Sequence, residues 1–119
     1  MTRTLVFVCE HGAFRSRIAA AYFNAAAPRG WRATSAGRDP QAEPSVRLGP
    51  LLARTAAAVH VETEPPRSLL EVDAARLIAS DCSVDEAEVW HTTPGSDEAL
   101  RDELSHRVER LVRELARTG

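Results

Sequence analysis

Apolar and polar positions alternate along the chain in short blocks. Residues 5–8, Leu-Val-Phe-Val, form an unbroken apolar run of β-formers. That pattern predicts a strand buried on both faces. Residues 15–27 are alanine-rich and predict a helix, which Pro28 and Gly30 close. "WRATSAG" (31–37) predicts a second strand that stops at a glycine. Residues 44–57 read as helical but contain Gly49 and Pro50, so a kink or two short pieces is expected. "AVHV" (58–61) is a candidate third strand. "SLLE" (68–71) has the Ser-x-x-Glu capping spacing of a helix start. "RLIAS" (76–80) predicts a further strand and "VWH" (89–91) a short last one. The clearest element comes at the end. Leu100, Leu104, Val108, Leu111, Val112 and Leu115 share one helical face. Ser96 can cap that helix, with Asp97 and Glu98 in its first turn and arginines in its last turns.

Strands that alternate with helices imply a mostly parallel sheet, with the ligand site at the carboxyl ends of its strands. A length of 119 residues predicts one domain, residues 1–119. The formal net charge of −2 offers no electrostatic case for nucleic acid or a membrane as partner. Every basic side chain other than histidine is arginine, which fits a codon bias toward Ala, Gly and Pro. Cys9 and Cys82 are too few for a disulfide framework, and no Cys/His spacing suits a zinc site. No metal or other cofactor is expected. The opening "MTRTLVFV" is too short in its apolar part for a signal sequence or a membrane span. A reducing cytoplasm, where a thiol stays available, is the expected location.

Chemistry concentrates in "FVCEHGAFRS" (7–16). Cys9 directly follows the first strand, Arg15 comes six positions later, and Ser16 follows it. A loop of this size between a strand and a helix can turn its backbone N–H groups toward one point, making a nest for a tetrahedral anion. The helix adds its free N-terminal donors. Arg15 offers a planar fork matched to phosphate oxygens. Gly12 allows a positive φ inside the tight loop. The cradle formed by Glu10, His11, Gly12, Ala13 and Phe14 would therefore hold an oxyanion above Cys9. Helix N-termini and nearby cations favour the thiolate, and the Ser16 hydroxyl can donate a hydrogen bond to it. The expected chemistry is attack of sulfur on phosphorus, giving a phospho-cysteine that water hydrolyses.

These residues resemble the low-molecular-weight protein tyrosine phosphatase family, which includes the thioredoxin-type arsenate reductases. "LVFVCEHGAFRSRIAAAYF" is similar to its opening strand, phosphate loop and first helix. "ATSAG" (33–37), "ARLIASDCS" (75–83) and the "VWHTTPG" turn before the final helix continue the likeness along the chain. The resemblance implies a three-layer α/β fold with a four-stranded parallel sheet in the order 2-1-3-4. It also implies Cys9 as nucleophile, Arg15 as oxyanion clamp and Ser16 as partner of the thiolate.

Three departures stand out. The family usually has asparagine where this chain has Gly12. A second cysteine beside the catalytic arginine is common there, and Phe14 replaces it. The family's Asp-Pro pair before the last helix supplies the general acid, and here the pair reads Thr93-Pro94. General acid catalysis contributes about 10²- to 10⁴-fold, so activated esters should be the better substrates. His91 and Asp97 flank the right loop as substitute acids. Asp81 and Asp85 are further candidates, with Asp81 expected about 10 Å away if its strand lies two places from the first.

Three functions follow. The first is hydrolysis of a phosphorylated small molecule or phosphoprotein, phosphotyrosine included. The second is arsenate reduction with a small-molecule or protein thiol, where Cys82 could take part. The third is a non-catalytic module for phosphate, sulfate or arsenate, against which the retained Cys9 argues.

Overall fold

Leu5, Val6, Phe7 and Val8 are fully buried at the centre of the sheet, as their unbroken apolar run requires. The computed structural model describes residues 1–118. Strand β1 is Arg3–Cys9, β2 Trp31–Gly37, β3 Arg76–Ser80 and β4 Glu88–Trp90. They form one four-stranded sheet, all parallel, in the order β2-β1-β3-β4. Helix α1 is Arg15–Ala25, α2 is Leu48–Leu52 and α3 is Asp97–Thr118.

Strand alternation sends Leu5 and Phe7 to one face and Val6 and Val8 to the other. The first face carries the larger core, in which α1 contributes Ile18 and Phe23 and α3 contributes Leu100, Leu104, Val108, Leu111 and Leu115. Phe7 meets Phe23 edge-on, with ring centroids 6.2 Å apart, and Trp90 at 5.7 Å. The second face is covered by a 3₁₀ turn and loop segments, through Leu69, Val72, Cys82 and Val84. Ser96 Oγ accepts from the Ala99 amide at 3.1 Å, so the predicted cap of α3 is in place. No helix of the described residues is long and apolar enough to cross a membrane.

Two predicted elements differ. Residues 58–61 are not a strand: Ala58–His60 is a single 3₁₀ turn. Ala57 is fully buried and Val61 packs on the core, while Val59 is 88% exposed. Anchors four apart suit a turn, not the two-residue alternation of a strand. The capping sequence at 68–71 also yields only one 3₁₀ turn, Leu69–Glu71, although Ser68 Oγ does accept from the Leu70 amide at 3.1 Å. The reason lies in Leu70, which is 94% exposed and gives a longer helix no face to bury.

Candidate active site

The carboxyl end of β1 passes into loop 10–14 and then α1, so Cys9 stands at the rim of the sheet. The loop's shape is set from outside. The Cys9, Glu10, His11 and Ala13 carbonyls accept from the Arg38, Asp39, Gln41 and Ser45 amides at 2.7–3.1 Å. The Gly12 carbonyl accepts from Arg17 Nε at 2.9 Å. In a trans peptide the C=O and N–H point in opposite directions. Carbonyls turned out toward 38–45 and Arg17 therefore leave the amides of residues 10–14 turned to the other side, as an anion nest needs.

Gly12 has φ +64°, the left-handed conformation expected of it. A Cβ placed there would lie 2.8 Å from the Gly37 amide nitrogen. Glycine thus meets two demands, a positive φ and close approach of two backbones. Gly12→Ala is expected to cost about 2 kcal/mol from the left-handed penalty and overpacking, read as a lower midpoint in urea.

Cys9 is buried, 6% exposed. Its Sγ lies 3.1 Å from Ser16 Oγ and 3.4 Å from the Ser16 amide nitrogen. A thiol donates to that hydroxyl oxygen; a thiolate accepts from both hydroxyl and amide. Arg15 Nε pairs with Asp81 at 3.0 Å. A cavity of about 370 Å³ opens on Cys9, Ala13, Arg15, Arg47 and Asp81. Glu10 and His11 line its mouth, Glu10 pairing with Arg38 at 3.3 Å and His11 Nδ1 donating to the Asp39 carbonyl at 3.1 Å.

The candidate acids fall out differently from expectation. The strand before Asp81 is the immediate neighbour of β1, not two places away, which brings Asp81 into the site. Burial alone would raise its pKa. Hydrogen bonds from the Thr92 hydroxyl and amide, with the charges of Arg15 and His91, outweigh that and hold the carboxyl below its usual value. Asp97 is gripped by Arg47 through both carboxylate oxygens at 2.8 and 2.9 Å. Arg47 in turn lies 4.1 Å over the Phe14 ring. The His91 side chain is exposed, and its carbonyl accepts from Arg107. Thr93 and Pro94 share a second cavity with Arg15, Asp81 and Asp97. Trp90 belongs to the core and donates Nε1–H to Glu88 at 2.7 Å.

Both cysteines are free thiols. Cys82 packs with Val6 and Val8 on the second face, its sulfur 3.8 Å from the Val8 carbonyl. Burial, then the charge of Cys9, pushes its thiol pKa up.

Buried polar side chains brace the loop from behind. Arg17 is 1% exposed, and its Nη1 donates to the Glu62 carbonyl at 2.7 Å. Nearby, the Glu62 carboxylate accepts from Ser35, Thr34 and Arg67. Arg67 continues to the Ser35 carbonyl and Glu64. One signal existed: α1 reads RSRIAAAYFNA, so most of its surface is apolar and an internal arginine had little polar face to occupy.

Burial alone would raise the Glu62 pKa. The hydrogen bonds from Ser35, Thr34 and Arg67 outweigh it and hold the carboxyl below the ordinary range. A depressed folded value stabilises the protein above the unfolded value of about 4.3, and that contribution is lost as pH falls toward the folded pKa. The urea midpoint should therefore drop between pH 6 and pH 3.5, and drop less in Glu62→Gln.

No protein-family model and no curated protein matches this sequence. Solved structures do match in shape. An arsenate reductase from Archaeoglobus fulgidus is 25% identical with TM-score 0.73, over 92% of this chain and 98% of its own. An arginine phosphatase from Geobacillus stearothermophilus is 20% identical with TM-score 0.71, over 95% and 92%. A low-molecular-weight protein tyrosine phosphatase from T. tengcongensis is 18% identical with TM-score 0.70, over 95% and 99%. With its all-parallel β2-β1-β3-β4 sheet, the chain has the fold that low-molecular-weight phosphatases and arsenate reductases share.

Proposed function

We propose that the chain is a single-domain, cysteine-dependent phosphomonoester phosphatase. The observation that carries this reading is Cys9 Sγ at 3.1 Å from Ser16 Oγ, beneath a loop whose carbonyls are all drawn outward. Cys9 attacks phosphorus, the P–O bond to the leaving group breaks, and a phospho-cysteine forms. Water then attacks phosphorus and the thiolate leaves, assisted by the Ser16 hydroxyl. Loop amides 10–14 and Arg15 stabilise the equatorial oxygens throughout. Asp81 holds Arg15 by Nε, which leaves both terminal nitrogens for the oxyanion.

Protonation of the leaving group is the weak step. Asp81 is engaged by Arg15 and Thr92, and Asp97 by Arg47. Wild type should thus hydrolyse 4-nitrophenyl phosphate well and phenyl phosphate poorly. Thr93→Asp, which restores a carboxylate at the cavity, should raise turnover of phenyl phosphate by about tenfold or more, part of the 10²–10⁴ that general acids supply. It should leave 4-nitrophenyl phosphate nearly unchanged. No hydrolysis of either ester by wild type sinks the proposal.

The 25% identity to an archaeal arsenate reductase favours a second reading. Cys9 would attack arsenate with loss of hydroxide; a small-molecule or protein thiol would then attack the Cys9 sulfur, and the S–As bond would break with its electron pair on arsenic, releasing arsenite and leaving a disulfide between Cys9 and that thiol. Arsenate-dependent consumption of thiol by wild type, without ester hydrolysis, is the result that selects it.

A further inference from the structure

Another, larger cavity of about 570 Å³ lies beside the anion pocket. It runs between α2 and the segment after the Ala58–His60 turn, with Leu48, Leu52, Val61 and Pro65 among its walls. Ser45 and Val46 line both cavities. They form the ridge between them, and the Ser45 amide ties that ridge to the phosphate loop through the Ala13 carbonyl at 3.0 Å. Val46, on the ridge, is 90% exposed. A valine so placed covers no core. It offers an apolar step from one cavity into the other.

The chemistry of the groove limits its occupant. Its volume falls within the 300–1,000 Å³ of small-molecule sites. Glu62 lines it, but that carboxylate is already satisfied by Ser35, Thr34 and Arg67. Glu43 at the rim disfavours a second anion. An extended polypeptide would bring N–H and C=O groups that need partners, whereas these walls are largely apolar side chains. We infer that the preferred substrate is a small phosphate ester with an uncharged apolar body, which lies in this groove while the phosphate sits over Cys9. The inference rests on the phosphatase reading for its catalysis, though not for its binding.

Gly49 provides the test. It lines the groove, and a Cβ built on it meets nothing within 4 Å. Gly49→Leu therefore projects a side chain into open space, without forcing the backbone. The probes are phenylphosphonate and 4-hexylphenylphosphonate, which cannot be hydrolysed, measured by calorimetry. Wild type should bind the hexyl compound at least about tenfold more tightly, the worth of burying about two methylenes. Gly49→Leu should lose that advantage yet bind phenylphosphonate as wild type does. Val46→Ser, which leaves the groove open but strips its apolar step, should reduce the advantage in part. Equal affinities in wild type, no binding of either probe, or an advantage that survives in Gly49→Leu would overturn the inference. So would a phosphopeptide that outcompetes the hexyl compound. If wild type fails to hydrolyse aryl phosphates while the hexyl advantage and its loss in Gly49→Leu persist, the phosphatase reading falls and the groove assignment stands.

Discussion

Cys9→Ser is expected to lower turnover of 4-nitrophenyl phosphate by roughly a millionfold, the scale seen when a nucleophile acting in a unit is removed. Phosphate should still bind. The loop carbonyls are held by the Arg38, Asp39, Gln41 and Ser45 amides and by Arg17, and none of these contacts involves the sulfur. A serine hydroxyl is close in size but ionises far less readily than a thiol. Ser16 is no base, Glu10 is paired with Arg38, and His11 is turned to the Asp39 carbonyl. The measurement is steady-state kinetics beside phosphate calorimetry on the same protein. Loss of phosphate binding along with turnover would mean that the sulfur shapes the cradle instead of reacting. Undiminished turnover would remove Cys9 from the mechanism.

The largest effect on stability should come from Arg17→Met. Arg17 is almost wholly buried and bridges two carbonyls, Gly12 at 2.9 Å and Glu62 at 2.7 Å. Methionine keeps much of the volume but leaves both oxygens unpaired in the interior. Hydrogen bonds to charged groups contribute about 1.5–3 kcal/mol each, so the loss should be about 3 kcal/mol or more. For a domain of this size, that lowers Tm by roughly 10 °C. A second consequence separates bracing from mere packing. The Gly12 carbonyl is the one loop carbonyl held by a side chain, and its peptide carries the Ala13 amide. Freed, that amide loses its direction, and phosphate affinity should fall even at temperatures where the variant stays folded. Arg17→Lys keeps the charge but not the fork, and should restore only part of either property.

How much of this the sequence discloses depends on the range of the interaction. Strands at 31–37 and 76–80 have their observed bounds in the sequence reading, because each is a short run closed by a glycine or a turn. The final helix is equally plain, since its leucines repeat at helical spacing over many turns. The grouping of Cys9, Arg15 and Ser16 is legible for a similar reason: a strand, an eight-residue span and a helix start are all local. Glu62 and Arg67 were not. They meet Thr34 and Ser35 across some thirty residues of chain, and no local pattern marks such partners. Asp81 was misjudged through topology. Treating 58–61 as a strand adds one place between β1 and the strand of Asp81. The real neighbour relation removes that place and puts a carboxylate on Arg15.

Thr93-Pro94 stands where the resemblance to the phosphatases implies an Asp-Pro pair. Asp81 and Asp97 are both close to Arg15 or the cavity beside it, yet each is held by an arginine. Proximity alone does not make a general acid; a proton must be available at working pH, and the Asp81 carboxyl, held below its usual pKa, has none to give. Under the proposed reading, the chain keeps a nucleophile and an oxyanion cradle and gives weak assistance to departure. The groove beside it would select substrates by their apolar body.

The central claim is that phosphorus is passed through the Cys9 sulfur. The most direct measurement is acid quench of wild type during turnover of 4-nitrophenyl phosphate, followed by mass analysis of the peptides. A phosphoryl group on Cys9, present during turnover and gone once substrate is exhausted, is the predicted result. Phosphate released at full rate from an enzyme whose Cys9 stays unmodified throughout, or a phosphoryl group on any other residue, would contradict it.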